Sequence, residues 1–315
     1  MHDKSINSEL IKEKLHEHAF LFLEPIYSDS TIDNFNCKFE CIFSKQKKPR
    51  RYVDALDIYK LGLIEDVFTP KLISLIYNIF PEPILYHCHS YEIDGFNSKP
   101  HISNDNFLDG WHRDMDCIHD LEKREIQHVS LFVYLTNVGD NDGAFEICDK
   151  KLGYFPRLFR SSNFYSIKGN KGSSFLFNRT AIHRASANEN AVNRRVLKIS
   201  FQSKTTLSND LDSNTSSHDK GFKIIEVQKL LPKSNLLLRA LFGDKEIKNS
   251  DVNLAIKEVF KNTNMSALDS RSSYRINTDM NLLSEFRGYV RDCFYVNKLL
   301  NFKIKRRFAA LKTSK

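Results

Sequence analysis

Two residues near the middle of the chain have the types and spacing of metal ligands. His112 and Asp114 stand two positions apart in the run WHRD (111–114). Residues two apart in a β-strand point to the same side, so an imidazole and a carboxylate could face one point. They would supply two corners of the two-histidine, one-carboxylate arrangement that binds non-haem Fe(II) and leaves other positions open. This pair alone is a common coincidence, so the interpretation needs a third ligand.

His183 is the candidate for that third ligand. It lies between two predicted strands, in the run FNRTAIHRASANEN (177–190). The other histidines fit less well. His87 and His89 share one face of a predicted strand, which favours buried side chains or a pocket rim over a second metal site. His119 and His128 belong to the charged run CIHDLEKREIQH (117–128), which predicts a solvated loop or lid.

Two arginines follow His183 at the start of the last predicted strand. If 2-oxoglutarate binds the iron through its keto acid end, its distal carboxylate needs a cation, ideally a bidentate guanidinium. Arg194 faces the interior if Leu197, Ile199 and Phe201 pack outward under helices, whereas Arg195 does so if those residues face inward. We favour the first arrangement narrowly, with Arg194 facing the interior, and Arg195 stays open as the alternative.

The elements that would position these residues are mostly short strands. Between residues 84 and 206, β-branched and aromatic runs alternate with turns such as GDNDG (139–143), which is typical of an antiparallel sandwich or barrel. Before them, residues 1–83 predict a helical flanking segment of the same domain, with an amphipathic helix at 68–80. After them, 207–221 predicts a linker or mobile loop, and 222–315 a helical, basic C-terminal extension.

The central part of the chain resembles the phytanoyl-CoA dioxygenase family of Fe(II)/2-oxoglutarate-dependent oxygenases. The matching runs are WHRDMD (111–116), LFVYLTNVGDNDGAFEI (131–147) and GSSFLFNRTAIHRASANEN (172–190), with the arginines that follow. This resemblance implies a mainly β fold, with a double-stranded β-helix core flanked by α-helices. It also implies iron held by His112, Asp114 and His183, 2-oxoglutarate held by Arg194, O2 as the oxidant, and further co-substrate contacts from Tyr134 and from Asn178 or Thr180.

The expected reaction is hydroxylation of an unactivated carbon, or a related desaturation or ring closure. Halogenating relatives carry a small residue in place of the carboxylate ligand, whereas Asp114 is present here. Many relatives have a Pro-Gly-Ser-His loop after the acidic turn, where this chain has CDKKLGYF (148–155), so no substrate is carried over. Two alternatives remain: a non-catalytic β-barrel that kept parts of the motif, and an isomerase or sugar-binding protein of the cupin type.

Charge gives a separate expectation about partners. The formal net charge is +8 and the isoelectric point about 9.0, which favours an acidic partner. Residues 297–315 contain seven Lys/Arg and no acidic residue. They could lie on an anionic membrane and bring the enzyme to a lipid-linked or sugar-containing substrate, or simply pack on the domain. A nucleic acid partner is not indicated. No signal peptide or membrane-spanning run is visible, so a cytoplasmic location is expected; the oligomeric state is not predicted.

Overall fold

The computed structural model describes residues 8–97, 126, 128–148, 164–179, 181, 183–204, 223–263 and 275–276. Within these residues, two antiparallel sheets carry the strands. The larger sheet has the order β1-β7-β4-β9-β3-β2, and the smaller has the order β10-β6-β5-β8. Successive strands from β3 to β9 are shared between the two sheets, and the first of them, β3, pairs with the last, β9. This is the arrangement of a double-stranded β-helix, so the predicted fold class is confirmed.

The N-terminal helices pack on one side of the larger sheet, and the N-terminal strands β1 and β2 form its two edges. Side-chain caps set where several helices begin: Ser28 caps α2, Asp54 forms a capping box on α3, and Thr69 with Pro70 begins α5. The elements are α1 (Ser8–His18), β1 (Phe20–Leu23), α2 (Asp29–Phe43), β2 (Arg50–Val53), α3 (Ala55–Lys60), α4 (Ile64–Val67) and α5 (Pro70–Ile79).

The strands that form the sandwich follow in chain order. They are β3 (Pro83–Ile93), β4 (His128–Tyr134), β5 (Phe145–Cys148), β6 (Phe164–Ile167), β7 (Ser174–Asn178), β8 (His183–Ala185), β9 (Arg194–Ser203) and the short β10 (Arg275–Ile276). The C-terminal helices with described residues are α6 (Ile224–Leu230), α7 (Leu236–Leu241) and α8 (Asn249–Lys261).

The larger sheet is buried on both faces, and each face has its own apolar cluster. Leu197, Ile199 and Phe201 of β9 pack with the helices. On the opposite face, Phe132 and Phe175 meet Phe145 of the smaller sheet, with ring centroids 4.9 and 5.4 Å apart. We call this second side the inner face, and the volume between the sheets the inter-sheet space. Because successive side chains of a strand point to opposite faces, knowing the face of one residue in β9 gives the face of every other residue in that strand.

Helices from both the N-terminal and the C-terminal part of the chain pack on the side of the larger sheet opposite the inner face, which we call the helical side. Phe35, Phe39 and Phe43 of α2 are fully buried there, and Phe35 stacks on Phe39 at 5.8 Å. Leu238 and Leu241 of α7 belong to the same cluster. The helices before and after the sandwich therefore share one apolar core.

Several element predictions are confirmed and some elements were missed. The helix predicted at 68–80 is α5. The strands β4 to β7 and β9 lie in the strand-rich region predicted at 84–206, and β3 begins one residue before it, whereas no strand was predicted at β8, which contains His183. The sequence interpretation missed α2, β2 and β10, and β1 and β2 join the larger sheet rather than only flanking it. The predicted linker at 207–221 and the basic segment 297–315 lie outside the described residues. None of the described helices is long and apolar enough to span a bilayer.

Candidate active site

The inner face of the larger sheet carries polar side chains in rows defined by strand register. Lys198 of β9 lies between His89 on β3 and Phe132 on β4. Two residues along β9, Ser200 lies between His87 and Ser130. At the start of the same strand, Arg194 lies opposite Ile93. Aromatic side chains of β4 and β7 cover the rest of the inner face. The inner face is therefore polar along β3 and β9 and largely apolar along β4 and β7.

His183 enters this space from the smaller sheet. It lies opposite Ile147 in the register of β8 with β5, and it is 3% exposed. Its ring lies 5.2 Å from the ring of Phe145 and 5.0 Å from that of Phe177, measured between centroids. Its Nδ1 is 2.9 Å from the carbonyl oxygen of Ala181. Since a carbonyl can only accept, Nδ1 carries the proton and Nε2 of the neutral ring carries the lone pair that a metal requires.

Arg194 lies on the inner face and is 1% exposed. Its guanidinium donates one hydrogen bond to the carbonyl of Gly143, in the turn GDNDG, and another to the Tyr91 hydroxyl at 2.6 Å. Its Nε makes no hydrogen bond to the described residues. The guanidinium carbon also lies 5.5 Å from the Tyr91 ring centroid and 5.8 Å from that of Tyr134. A buried cation is thereby fixed in orientation while keeping a donor for a further partner.

Arg195 points to the other side of the sheet. There its guanidinium pairs with Glu92 and Glu40 and donates to the carbonyl of Asn36 at 3.4 Å. Glu92 also pairs with Arg51 at 2.6 Å. These ion pairs join β2, β3, β9 and α2 on the helical side. The alternative that the sequence left open, with Arg195 facing the interior, does not occur.

Tyr134 is fully buried on the inner face, with its hydroxyl already engaged. It donates to the carbonyl of Ile167 at 2.8 Å and accepts from the backbone N–H of Phe145 at 3.1 Å. Burial raises the pKa of Tyr134 to about 12, so the phenol stays protonated. Its hydroxyl thus links three strands of the sandwich, and its ring borders Arg194.

The remaining predicted site residues are only partly placed. Asn178 lies opposite Val129, whose side chain belongs to the helical-side cluster, so its register puts it away from His183. His112, Asp114 and Thr180 lie outside the described residues. Within the described part of the chain, no group of three metal-ligating side chains occurs. The triad and the co-substrate contacts therefore stay predictions.

Three of the histidines that the sequence set aside, His87, His89 and His128, are buried on the inner face, and His119 lies outside the described residues. His87 and His89 are 6% and 3% exposed, with ring centroids 5.8 Å apart. The expected solvated loop at His128 is wrong, because His128 begins β4 opposite Gln202 and is 1% exposed. Burial, together with the charge of Arg179, lowers the pKa of His128 to about 3. The sequence placed His128 in a loop because a charged run precedes it, and so the beginning of β4 was not predicted there.

Sequence reasoning also missed Tyr91, Gly143 and Lys198. The alternation in YHCHSYEI (86–93) contained a signal for Tyr91, because it places this residue on the face of His87 and His89. Lys198 has the same parity as Arg194 in β9, so its side follows once that of Arg194 is known. The contact of Gly143 with Arg194 connects residues 51 positions apart and had no local signal.

A separate cavity of about 570 Å³ lies outside the inter-sheet space. It is bounded by the start of β3 and by α6 to α8, and it is lined by residues such as Tyr77, Ile84, Gln228 and Phe242. None of the predicted site residues that the structure describes lines it. Its size alone gives no reason to move the candidate site away from His183 and Arg194.

No family model and no curated protein sequence matches the chain. Among solved structures, the carbocyclase SnoK from nogalamycin biosynthesis, an alpha-ketoglutarate-dependent non-heme enzyme, is 11% identical with a TM-score of 0.48, over 63% of this chain and 87% of that one. AviO1 from Streptomyces viridochromogenes Tue57 is 11% identical with a TM-score of 0.46, over 63% and 96%. HygX from Streptomyces hygroscopicus, with nickel and 2-oxoglutarate bound, is 12% identical with a TM-score of 0.42, over 61% and 85%. These are distant likenesses, and they assign no function to this chain.

Proposed function

We propose that this protein is an Fe(II)- and 2-oxoglutarate-dependent dioxygenase that hydroxylates an unactivated carbon of a small-molecule, lipid-linked or sugar-containing substrate. The observation that carries the proposal is the placement of His183 and Arg194. They come from different sheets, both are buried, and both face the inter-sheet space. A candidate metal ligand and a cation that could bind a carboxylate thus face the same volume.

His183 fits a metal ligand in its chemistry as well as its position. The bond from Nδ1 to the Ala181 carbonyl fixes the tautomer and the ring orientation, as outer partners of ligating histidines usually do. His112 and Asp114 would supply the other two ligands, by the spacing of the sequence. Bound iron with 2-oxoglutarate and O2 would supply the oxidising power that side chains lack. The chain itself contributes the ligand geometry.

Arg194 fits the distal carboxylate of 2-oxoglutarate. A guanidinium has five N–H donors, and the contacts to Gly143 and Tyr91 use two of its nitrogens. An arginine held at two points loses little freedom when a carboxylate binds, so it can fix the orientation of the co-substrate. Phe132, Phe145 and Phe175 form the apolar lining beside it, which excludes water and strengthens this charge pair.

Turnover of 2-oxoglutarate without added substrate tests the proposal. Metal-free protein is supplied with Fe(II), 2-oxoglutarate and ascorbate in air, and succinate formation is measured. We expect slow succinate production in the parent protein and none above background in His183→Ala or His112→Ala. His16→Ala, an exposed histidine of α1, is the matched control and should keep the parental rate. A His183→Ala rate equal to that of the parent would contradict the ligand assignment.

A further inference from the structure

The cavity of about 570 Å³ at the start of β3 lies far from the candidate active site. Ile84 of β3 and Lys204, just after β9, both line it. They lie at one end of the β3–β9 pair, whereas Ile93 and Arg194 lie opposite each other at the other end. At about 3.3 Å per residue, Ile84 is about 30 Å from Ile93 along the strand. A small molecule in this cavity would therefore make no contact with Arg194.

The walls of the cavity are mainly apolar and come from both ends of the chain. They include Ile84 and Leu85 of β3, Ile224 of α6, Phe242 after α7 and Val252 of α8. Except for Ile84, these residues belong to the apolar cluster on the helical side of the sheet. The volume lies within the range of small-molecule sites, which is about 300–1,000 Å³. Size and lining thus fit an organic molecule that buries apolar surface.

Two polar groups at the cavity keep hydrogen-bonding capacity. Tyr77 of α5 is 8% exposed, and its hydroxyl makes no hydrogen bond within the described part of the chain. That hydroxyl is not sealed off by protein atoms, so it opens to the cavity that Tyr77 lines. Burial raises the pKa of Tyr77, so the phenol stays protonated and can both donate and accept. Gln228 of α6 donates from Nε2 to the Phe242 carbonyl at 3.2 Å, which leaves its Oε1 as an acceptor.

The charged side chains that line the cavity carry two charges of each sign. They are Glu82, Lys204, Asp244 and Lys245. Glu82 pairs with Lys204 at 3.6 Å, and Asp244 pairs with Arg239 at 2.5 Å. Lys245 is exposed to solvent, where a charge attracts an anion only weakly. An ionic ligand would therefore gain little here, and the cavity favours a neutral one.

We propose that this cavity is a second binding site, for a neutral small molecule with a mainly apolar body and one hydroxyl or carbonyl group. The inference does not rest on the proposed function, because its residues are not those of the candidate active site. The Tyr77 hydroxyl would donate to the ligand oxygen, and Oε1 of Gln228 would accept from a ligand hydroxyl. Burial of the apolar body against the walls would supply most of the affinity.

Calorimetric titration of the full-length protein with 2-naphthol at pH 7 tests this site. The probe is neutral and aromatic and carries one hydroxyl; naphthalene lacks that group, and 2-naphthoate has a carboxylate in its place. We expect 2-naphthol to bind, and to bind more tightly than 2-naphthoate. The opposite order of these two affinities would refute the neutral ligand class.

Three variants locate the probe. Tyr77→Phe should weaken 2-naphthol binding about 3- to 10-fold, because one hydrogen bond is lost, and should leave naphthalene binding unchanged. Ala240→Phe, which adds a ring to the cavity wall, should weaken the binding of both. Tyr27→Phe is the matched control, because the Tyr27 hydroxyl donates to the Val67 carbonyl and Tyr27 does not line the cavity. It should bind both probes like the parent.

The isosteric change at Tyr77 decides the outcome even if Ala240→Phe does not fold, as judged by circular dichroism. Absence of 2-naphthol binding in the parent would overturn the inference. Equal 2-naphthol affinity in the parent and in Tyr77→Phe would also overturn it, since the probe would then not bind the hydroxyl. An equal loss of 2-naphthol and naphthalene binding in Tyr77→Phe would show that Tyr77 only shapes the cavity, contrary to the proposed ligand class.

Discussion

Arg194 and Arg195 are neighbours in sequence with different electrostatic surroundings. Arg195 faces Glu92 and Glu40, so its charge is already compensated by carboxylates of the protein. Arg194 faces a carbonyl, a phenol and two aromatic rings, none of which neutralises a positive charge. Since a buried cation is costly without a counter-charge, an anion would bind Arg194 favourably. The difference between the two residues arises only from which side of β9 each occupies.

Substituting each arginine by methionine should separate these two roles. Arg194→Met should weaken 2-oxoglutarate binding by about tenfold or more, because a charge-assisted pair in an enclosed site is lost. Arg195→Met should leave that affinity unchanged and lower the free energy of unfolding, since it breaks the ion pairs with Glu92 and Glu40. Anaerobic titration of the Fe(II) protein with 2-oxoglutarate and chemical denaturation measure the two effects. Equal 2-oxoglutarate affinities in the two variants would show that Arg194 does not bind the distal carboxylate of 2-oxoglutarate.

His128 should make stability depend on pH. Its pKa is about 3 in the folded protein and about 6.5 when unfolded. Between these values the unfolded chain binds a proton that the folded protein does not, so stability falls as pH decreases below about 6.5. The contribution approaches about 1.4 kcal/mol per pH unit. His128→Gln should remove this part of the slope between pH 7 and pH 5 in the metal-free protein.

The matched control for His128 is an exposed histidine. His16→Gln should leave the slope of unfolding free energy against pH as in the parent, since His16 is exposed in α1. Denaturant titrations at a series of pH values measure all three proteins. Parallel slopes for the parent and His128→Gln would show that His128 takes up a proton in the folded state, contrary to its burial beside Arg179.

At the scale of elements, the turn before β5 connects the smaller sheet to Arg194. Gly143 adopts φ +73°, and its carbonyl accepts the hydrogen bond from the Arg194 guanidinium. A Cβ at this position would lie 3.3 Å from Cβ of Asn188 and 3.6 Å from Cδ of Arg194. A side chain here would therefore strain the turn whose carbonyl accepts from Arg194 and would crowd Asn188, whereas its contact with Arg194 itself would be an ordinary one. The conformation of this turn therefore sets the position of the Gly143 carbonyl and, through it, that of the Arg194 guanidinium.

Two glycine substitutions distinguish strain from site geometry. Gly143→Ala and Gly62→Ala should each lower the free energy of unfolding by about 1–2 kcal/mol, because both positions are left-handed. Only Gly143→Ala should also weaken 2-oxoglutarate binding, since a Cβ at Gly62 would have no atom within 4 Å. Denaturation and anaerobic titration give the two quantities. Unchanged 2-oxoglutarate affinity in Gly143→Ala would mean that the turn does not position Arg194.

At the scale of the whole molecule, the sequence predicted the architecture better than the contacts between distant elements. The alternation in β3, β4 and β9 predicted strands correctly, because each strand buries side chains at regular positions. It could not decide between Arg194 and Arg195, since β9 is covered on both faces and its apolar residues therefore occur at both parities. The pairings of β1 with β7 and β10 with β6 join distant segments and depend on tertiary packing alone.

Some missed features did have a local signal. The spacing of Ile32, Phe35, Phe39 and Phe43 is that of an amphipathic helix, and these residues are the buried positions of α2. His128 was assigned to a loop because the charged run preceding it outweighed the apolar run that follows. For the candidate site, residue types and spacing selected His183 and Arg194, whereas their common orientation required the sheet register.

The C-terminal helices belong to the same apolar core as the larger sheet. The sequence predicted an extension from residue 222, yet Leu238 of α7 is 1% exposed and lies in the same cluster as Phe39 of α2 and Leu85 of β3. Removing its side chain should therefore destabilise the whole protein. Leu238→Ala should lower the free energy of unfolding by about 2–5 kcal/mol. Leu254→Ala in α8, where the side chain is 69% exposed, should change it little.

Two probes show whether that loss is shared by the entire chain. Circular dichroism reports on all helices and strands, whereas fluorescence reports on Trp111, the single tryptophan, in the segment that carries the predicted ligands His112 and Asp114. Because α2, the larger sheet and α7 share one core, both signals should move together to lower denaturant in Leu238→Ala. An early loss of helical signal with an unchanged tryptophan transition would instead show that the C-terminal helices unfold as a unit of their own.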